Sequence, residues 1–415
     1  MGQRDESDWR YYGWLVVLTC FVVIAIGSGA RFAFGVILDP LVVTFEASRT
    51  AISITQSVQL VAYAVSQPVM GRLIDRYGPA PIFAGSILAV AGGLAGAAFV
   101  GSVLGLYLTL GALVGFGYGG IGALAIVTIL AGWFRDRRES AVSLANSGFN
   151  VGQLAIAPVL GFALTVIDWQ TALVALGVLM LLTLLPAVAV LRRRRSADAD
   201  VDGDGGEFAG TLDVSSVREA VRGRSYAGLL SSYFICGFTD FVVIVHLVSY
   251  LVGVGFSRPI ASTALGLVGG ASFVGVVVCG WIADRTRTKD VIAGLYAMRI
   301  GGYLLLILVG SVASLETVLL YAFVVVFGFS LYATAPLTST LTATLYGDSL
   351  TGTLYGWASA THHVGAAIGA AAAAWVFDTT GTYEPAFYLC AGLLVVGTVA
   401  AYAIVEPRST SSGSA

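Results

Sequence analysis

Lysine is all but missing from this chain: of 22 basic residues, only Lys289 is not an arginine. Charge of either sign is scarce, at 11% of 415 residues, and the formal net charge is −2. A near-neutral, charge-poor chain carries no electrostatic footprint for nucleic acid. The four cysteines, Cys20, Cys236, Cys279 and Cys390, stand singly in apolar runs. Without CxxC or metal-ligand spacing they read as small core-filling side chains, not a disulfide framework or a metal site. No GxxxxGK[ST] string offers a phosphate cradle, so work done by the protein must draw on a gradient and not on ATP. No clustered nucleophile and base is visible either. The chain therefore does not read as an enzyme, and nothing in it asks for a cofactor.

What the chain has is apolar surface. It is 57% hydrophobic with a mean hydropathy of +0.87, more than a soluble fold can hide, so lipid is the solvent for most of it. Windows of about 20 apolar residues fall near 14–38, 50–70, 80–100, 104–131, 140–165, 169–191, 226–252, 259–283, 290–311, 317–343, 351–377 and 386–405. In hydrocarbon the backbone must bond within its own segment, so each window predicts a helix. The opening MGQRDESDWR is too acidic for the positive flank of a secretory signal, and the first window is expected to be a retained span.

Cation placement predicts the topology. With the N-terminus inside, 18 of the 22 cations fall on the cytoplasmic side. Only Arg49 and Arg258 fall in outer loops, while Arg31 and Arg299 lie within spans. Both termini are expected in the cytoplasm and the chain in the plasma membrane. The one long connection, 192–224, begins with four arginines and continues through the charged, Gly-rich DADVDGDGGE. Residues 211–222 then set Leu212, Val214, Val217 and Val221 against Arg218 and Arg222, the pattern of a short helix lying on the membrane surface. This predicts three parts: a six-helix bundle over 1–191, a cytoplasmic loop over 192–224, and a second six-helix bundle over 225–415.

An internal repeat supports the two bundles. GRLIDRYGP (71–79) and GWIADRTRTK (280–289) each open with Gly and carry Asp-Arg four and five positions later, at an offset of 209. SGFNVGQLAIAP (147–158) in the fifth span aligns with THHVGAAIGAAA (361–372) in the eleventh, setting Val151-Gly152 against Val364-Gly365 at an offset of 213. The glycine pairs Gly148/Gly152 and Gly365/Gly369 suit close helix approach. A duplicated membrane bundle places the working site near the midplane, between the repeats.

GRLIDRYGP closely resembles the loop signature of the major facilitator superfamily, and GWIADRTRTK is similar to its degenerate second copy. Finer features resemble the monocarboxylate and oxalate/formate carrier branch: YYGWLVV and ARFAFGVILDPL in span one, WFRDRRESA between spans four and five, CGFTDF and HLVSYL in span seven, and GTLYGWASATHH entering span eleven. The resemblance implies twelve helices, alternating access, and a cavity lined by spans one and seven. There are departures. The animal monocarboxylate carriers are expected to have Asp and Arg one turn apart in span eight, where this chain has Ser272 and Val276. Oxalate exchangers are expected to have Lys in span eleven, where it has His362 and His363.

A charge inside a span costs about 2.5–3.5 kcal/mol on insertion scales and asks for a reason. Arg31, in the outer half of span one, reads either as a bidentate clamp for a carboxylate or as an arginine paired with Asp39. His246 shares a face with Thr239 and Tyr250 and reads as a substrate or proton ligand, or as a packing histidine. His362 and His363 point about 100° apart, so at most one faces a cavity squarely, and the motif match favours His362 as the substrate-binding one. Asp240 and Arg299 lie mid-span and read as a buried ion pair, or Asp240 as a proton site. Tyr118, Tyr332 and Thr334 are further cavity candidates. In the loop strings, Gly71 and Gly280 read as helix contacts. Asp75, Arg76, Asp284 and Arg285 read as gate residues, with Arg135 or Arg138 as the partner of Asp75.

The reading is a secondary active transporter, monomeric, that carries a small organic anion, a monocarboxylate, with proton symport or anion exchange. Its proton-coupling candidates are His246, His362 and Asp240. The alternative is an exporter of drugs or other metabolites by proton antiport, which the intramembrane Arg31 argues against.

Overall fold

The computed structural model describes residues 11–134, 136–191, 214–312 and 314–406. Every regular element among them is a helix. Twelve long helical stretches keep the span numbering used above: Tyr12–Phe45, Arg49–Tyr77, Pro79–Ala97, Val103–Ala131, Arg138–Ala163, Trp169–Leu191, Arg224–Gly253, Arg258–Ala283, Thr288–Val309, Glu316–Tyr346, Asp348–Thr380 and Glu384–Tyr402. Nine of them are long and apolar enough to cross a membrane on composition alone. Spans two, five and eleven fall short because they carry more polar residues. In span two these turn inward: Ser53, Thr55, Gln56, Gln59 and Ser66 are all buried.

Local chemistry sets the ends. Ser48 and Ser102 accept hydrogen bonds from Ala51 N and Gly105 N at the starts of spans two and four, and Asp168 accepts from Thr171 N at the start of span six. Span two stops at Gly78, whose φ of +81° suits glycine, and Pro79 opens span three where its missing N–H costs nothing. Three spans are interrupted. Span four contains a π-helical stretch at Tyr107–Leu113 and an extended residue at Gly122; span six breaks near Thr183; span ten breaks at Tyr332 and Ala333. The short helix expected in the central connection is observed as Val214–Arg222. Residues 192–213, including Leu212 and the four arginines, lie outside the described residues, as does Arg135.

The helices pack into two compact units. One combines the first six spans with Phe241–Gly270 and Ala367–Tyr383, so it takes in one end of spans seven, eight and eleven. The other combines the opposite ends of those three helices with spans nine, ten and twelve. Glycine decides the closest approaches in each. In the first unit, a Cβ at Gly152 would meet Ala25 O at 2.0 Å and one at Gly148 would meet Phe21 O at 2.5 Å, so spans one and five touch backbone to backbone. A Cβ at Gly35 would meet Ile244 O at 2.5 Å, which brings span seven against span one. In the second unit, Gly237 faces His362 O at 2.0 Å and Gly365 faces Phe234 O at 2.2 Å. Spans seven and eleven thus meet through glycine just as spans one and five do, the arrangement a duplicated bundle requires. Gly280 differs: a Cβ there would meet nothing within 4 Å, so it does not make the helix contact read for it.

Candidate functional site

Arg31 is half-buried in the first unit, and its guanidinium lies 5.3 Å from the ring centres of both Tyr63 on span two and Phe241 on span seven. Aromatic faces within about 6 Å stabilise a cation without neutralising it. No acidic side chain pairs with Arg31 among the described residues. Asp39, the partner considered from sequence, is instead ion-paired with Arg49. Tyr118 packs beside the same stretch of span one, where its hydroxyl donates to Gly27 O. That hydroxyl is committed to backbone, so Tyr118 supports span one and has no spare O–H to donate to a ligand.

His246 is fully buried. Its Nε2 lies 2.8 Å from Ala370 O and its Nδ1 lies 3.2 Å from the Tyr383 hydroxyl, so both ring nitrogens are occupied by protein. Tyr383 continues to Ser249, which donates to Asp39 at 2.8 Å, and Arg49 donates to both Asp39 and Ser249. The histidine therefore belongs to a polar network at one end of span seven and offers no free nitrogen to a substrate in this arrangement. Thr239, read as sharing its face, bonds back to Ile235 O and Cys236 O of its own helix.

In the second unit Arg299 and Asp240 form an ion pair, both almost completely buried. The guanidinium also donates to Ser330 O at 2.6 Å and Leu331 O at 3.1 Å. These carbonyls sit where span ten breaks, so Arg299 satisfies backbone acceptors that the interruption leaves without helical partners. Cys236 Sγ lies 3.3 Å from Arg299 Nη1, 3.5 Å from Asp240 Oδ2 and 3.3 Å from Thr334 Oγ1. Potential ligand atoms of Cys236, Asp240 and His362 come within 4.8 Å of one another, a set that could hold a metal ion. Arg299 already contributes the positive charge there, however, and a second cation beside it would be repelled.

His362 is half-buried, with its ring over Tyr233 at 4.5 Å and its Nδ1 3.3 Å from Tyr233 O. His363 bonds back to Ser359 O at 2.7 Å, one turn earlier in its own helix. Tyr332 stands half-buried at the break in span ten, its backbone N–H donating to Ser272 Oγ at 3.1 Å. In the loop strings, Arg285 lies over Trp281 at 4.0 Å and donates to its carbonyl, while Arg76 lies 5.2 Å from the Tyr77 ring. Asp284 and Arg138 are exposed and form no ion pair among the described residues. The side chain of Asp75 lies outside the described residues, and Gly71 is half-buried.

Several residues around these arginines escaped the sequence reading: Tyr63 and Phe241 beside Arg31, and Ser249, Tyr383 and Asp378 beside Arg49, the last accepting from Arg49 N at 3.1 Å. Each is of a type common in packed helices, and only the fold brings them together. Arg49 was visible as an outer-loop cation; its acidic partner ten residues earlier was the available clue.

Comparison with known proteins agrees with this architecture. The sequence model of the Major Facilitator Superfamily matches residues 19–361 and 229–415. Monocarboxylate transporter 13 of Rattus norvegicus is 28% identical over 401 residues, covering 96% of this chain and 90% of the relative. The uncharacterized MFS-type transporter YcxA of Bacillus subtilis (strain 168) is 24% identical over 373 residues, covering 89% and 90%. Among solved structures, a bacterial homolog of the human lysosomal transporter Spinster, inward-facing and unoccupied, superposes with a TM-score of 0.76 at 13% identity, over 95% of this chain and 97% of that one. The D-xylose-proton symporter does so with a TM-score of 0.72 at 15% identity, over 95% and 98%. Twelve helices among the described residues, a duplicated loop string and these matches together make the chain a multi-pass membrane transporter, not an enzyme, and it belongs to the major facilitator superfamily.

Proposed function

We propose that this transporter carries small monocarboxylates, one anion per cycle. The observation that carries the reading is the charge balance of the spans. Arg49 and Arg299 each have a carboxylate partner, whereas Arg31 has none among the described residues. A single uncompensated guanidinium inside a membrane favours a ligand with a single negative charge, and its planar fork suits a carboxylate. The curated relatives named as monocarboxylate transporters support the same substrate class.

In this reading spans one to six and seven to twelve act as two bundles, joined by the 192–224 segment, that expose the site alternately. The loop strings with Asp75, Arg76, Arg138, Asp284 and Arg285 act as gate elements on the cytoplasmic side, where the cation excess also places both termini. The carrier works as a monomer in the plasma membrane. Half-buried His362 is the coupling candidate that remains, since His246 is engaged by Tyr383 and Ala370 and Asp240 is held in its ion pair with Arg299.

The test is uptake of labelled pyruvate or lactate into reconstituted vesicles, with an imposed proton gradient and, separately, with internal unlabelled anion. Uptake that collapses with a protonophore indicates symport, and uptake that needs internal anion indicates exchange. Absence of uptake and of binding for every small carboxylate, alongside efflux of cationic or neutral compounds, would move the assignment to a drug or metabolite exporter.

A further inference from the structure

The ends of spans two and eleven meet in a contact that none of the foregoing roles uses. Span two begins at Arg49, and its first backbone N–H groups have no helical acceptor. The Asp378 carboxylate, from the last turn of span eleven, fills that place. It accepts from Arg49 N at 3.1 Å, from Thr50 N at 2.8 Å and from Thr50 Oγ1 at 2.6 Å. An acid at this point is favoured both by the free donors and by the positive end of the helix dipole. What is unusual is its origin: the capping group comes from a helix more than 300 residues away in the chain, belonging to the other half of the repeat.

The surrounding contacts divide in the same way. Asp39 and Arg49 both belong to the first half of the chain and form a preassembled ion pair. The second half closes around that pair. Ser249 bonds to both members, Tyr383 OH lies 3.5 Å from Arg49 Nη1, and the Phe377 ring lies 4.2 Å from the guanidinium. Behind them His246 holds Tyr383, and Ser57 donates to Ala367 O at 2.6 Å. Gly35 against Ile244 O completes the seam. All of these residues lie in one compact unit, at the helix ends remote from the cation-rich loops. The ion pair can stay intact while the halves part. The bonds that must break are those to Asp378, Ser249, Tyr383 and Phe377.

We infer that Asp378 is a latch: by capping span two across the repeat, it holds this end of the carrier shut, and its release is an obligatory step in exposing the substrate site to the outside. The inference rests on the alternating-access reading, but its first test needs no substrate. Val245 is 1% exposed, and its backbone carbonyl lies on the Gly35 seam. A Val245→Cys reporter should therefore react slowly with a membrane-impermeant maleimide applied to intact cells. Adding Asp378→Ala should speed that reaction by about tenfold, the consequence of losing roughly 1.4 kcal/mol of charge-assisted bonding from the closed form. Asp378→Asn should give a smaller increase, and Thr50→Val should act in the same direction. An unchanged rate in both Asp378→Ala and Thr50→Val, in protein that still elutes as a folded monodisperse species, overturns the latch.

A second experiment covers the case in which those variants fold poorly. A Thr50→Cys/Asp378→Cys pair, cross-linked by a short bifunctional maleimide, should retain ligand-free thermal stability but lose exchange of any transported anion. The same pair left uncross-linked should keep exchange. Full exchange in the cross-linked protein refutes the latch while leaving the transport assignment standing. Lack of exchange in the unmodified parent counts against the substrate reading, and the labelling rates then decide on the latch alone.

Discussion

Asp39 gives its carboxylate to Arg49 and leaves Arg31 without an acidic partner among the described residues. The two arginines sit in the same unit, yet one is neutralised by a carboxylate and the other lies between the Tyr63 and Phe241 rings. Under the proposed function that asymmetry gives them different work: Arg49 joins helices, and Arg31 receives the substrate anion.

Arg31→Ala should therefore raise the KM for a transported monocarboxylate by about 10- to 100-fold, the equivalent of the roughly 1.5–3 kcal/mol carried by hydrogen bonds to a charged group. Arg31→Lys keeps the charge but loses the fork and should fall between. Concentration-dependent uptake in vesicles measures both. A KM unchanged in Arg31→Ala would remove this residue from the site.

The Asp240–Arg299 pair should behave as structural support. Asp240→Asn strands a buried guanidinium, and we expect a loss of about 3–5 kcal/mol in stability, read as a large drop in melting temperature in detergent. Arg299→Leu should be at least as damaging, because it also abandons the Ser330 and Leu331 carbonyls. The double variant Asp240→Asn/Arg299→Gln should recover part of the loss. A wild-type melting temperature in Asp240→Asn would show that the pair is not needed for packing.

Glycine substitutions should sort by where the new methyl group lands. Gly152→Ala and Gly365→Ala drive a Cβ into backbone oxygens at 2.0 and 2.2 Å, and each should cost about 1–3 kcal/mol or more. Gly280→Ala meets open space and should be neutral, or stabilising by up to about 1 kcal/mol through helix propensity. Melting temperatures of the three purified variants would test the ordering, and equal effects would contradict the packing.

Asp168 lies in the connection before span six. Hydrogen bonds from the Thr171 side chain and backbone hold its carboxyl below the ordinary carboxylate range. Because the folded form binds its proton more weakly than the unfolded form does, the cap stabilises above the ordinary aspartate value of about 3.9 and fades as pH falls through and below it. Asp168→Ala should lower the melting temperature slightly at pH 7, and the difference from wild type should shrink as pH falls below about 3.9. A difference that does not shrink on acidification would exclude the carboxylate as its source.

Much of the fold was legible because lipid simplifies the grammar. Apolar windows gave the spans, arginines gave the connections, and the repeated Gly…Asp-Arg strings suggested duplication. Spans two, five and eleven were read as helices too, although they carry the weaker apolar signal because buried groups such as Gln56 and Gln59 lie within span two. The site was less legible for a related reason. A mid-span charge announces itself at Arg31, Asp240 and Arg299, but its neighbours do not. Tyr63 and Phe241 are ordinary aromatic residues in the sequence, and nothing local says that they flank the same guanidinium. His246 shows the opposite limit: a histidine in a span invites a chemical role, yet its partners Tyr383 and Ala370 lie more than 120 residues away.

The interruption of span ten at Tyr332 and Ala333 has a mechanical consequence. A broken helix in hydrocarbon ordinarily pins itself, because any swivel strips its loose carbonyls of partners at several kcal/mol each. Here the Arg299 guanidinium spans that joint and donates to both Ser330 O and Leu331 O. The bent span keeps its peptide oxygens paired within the protein, by a side chain borrowed from span nine.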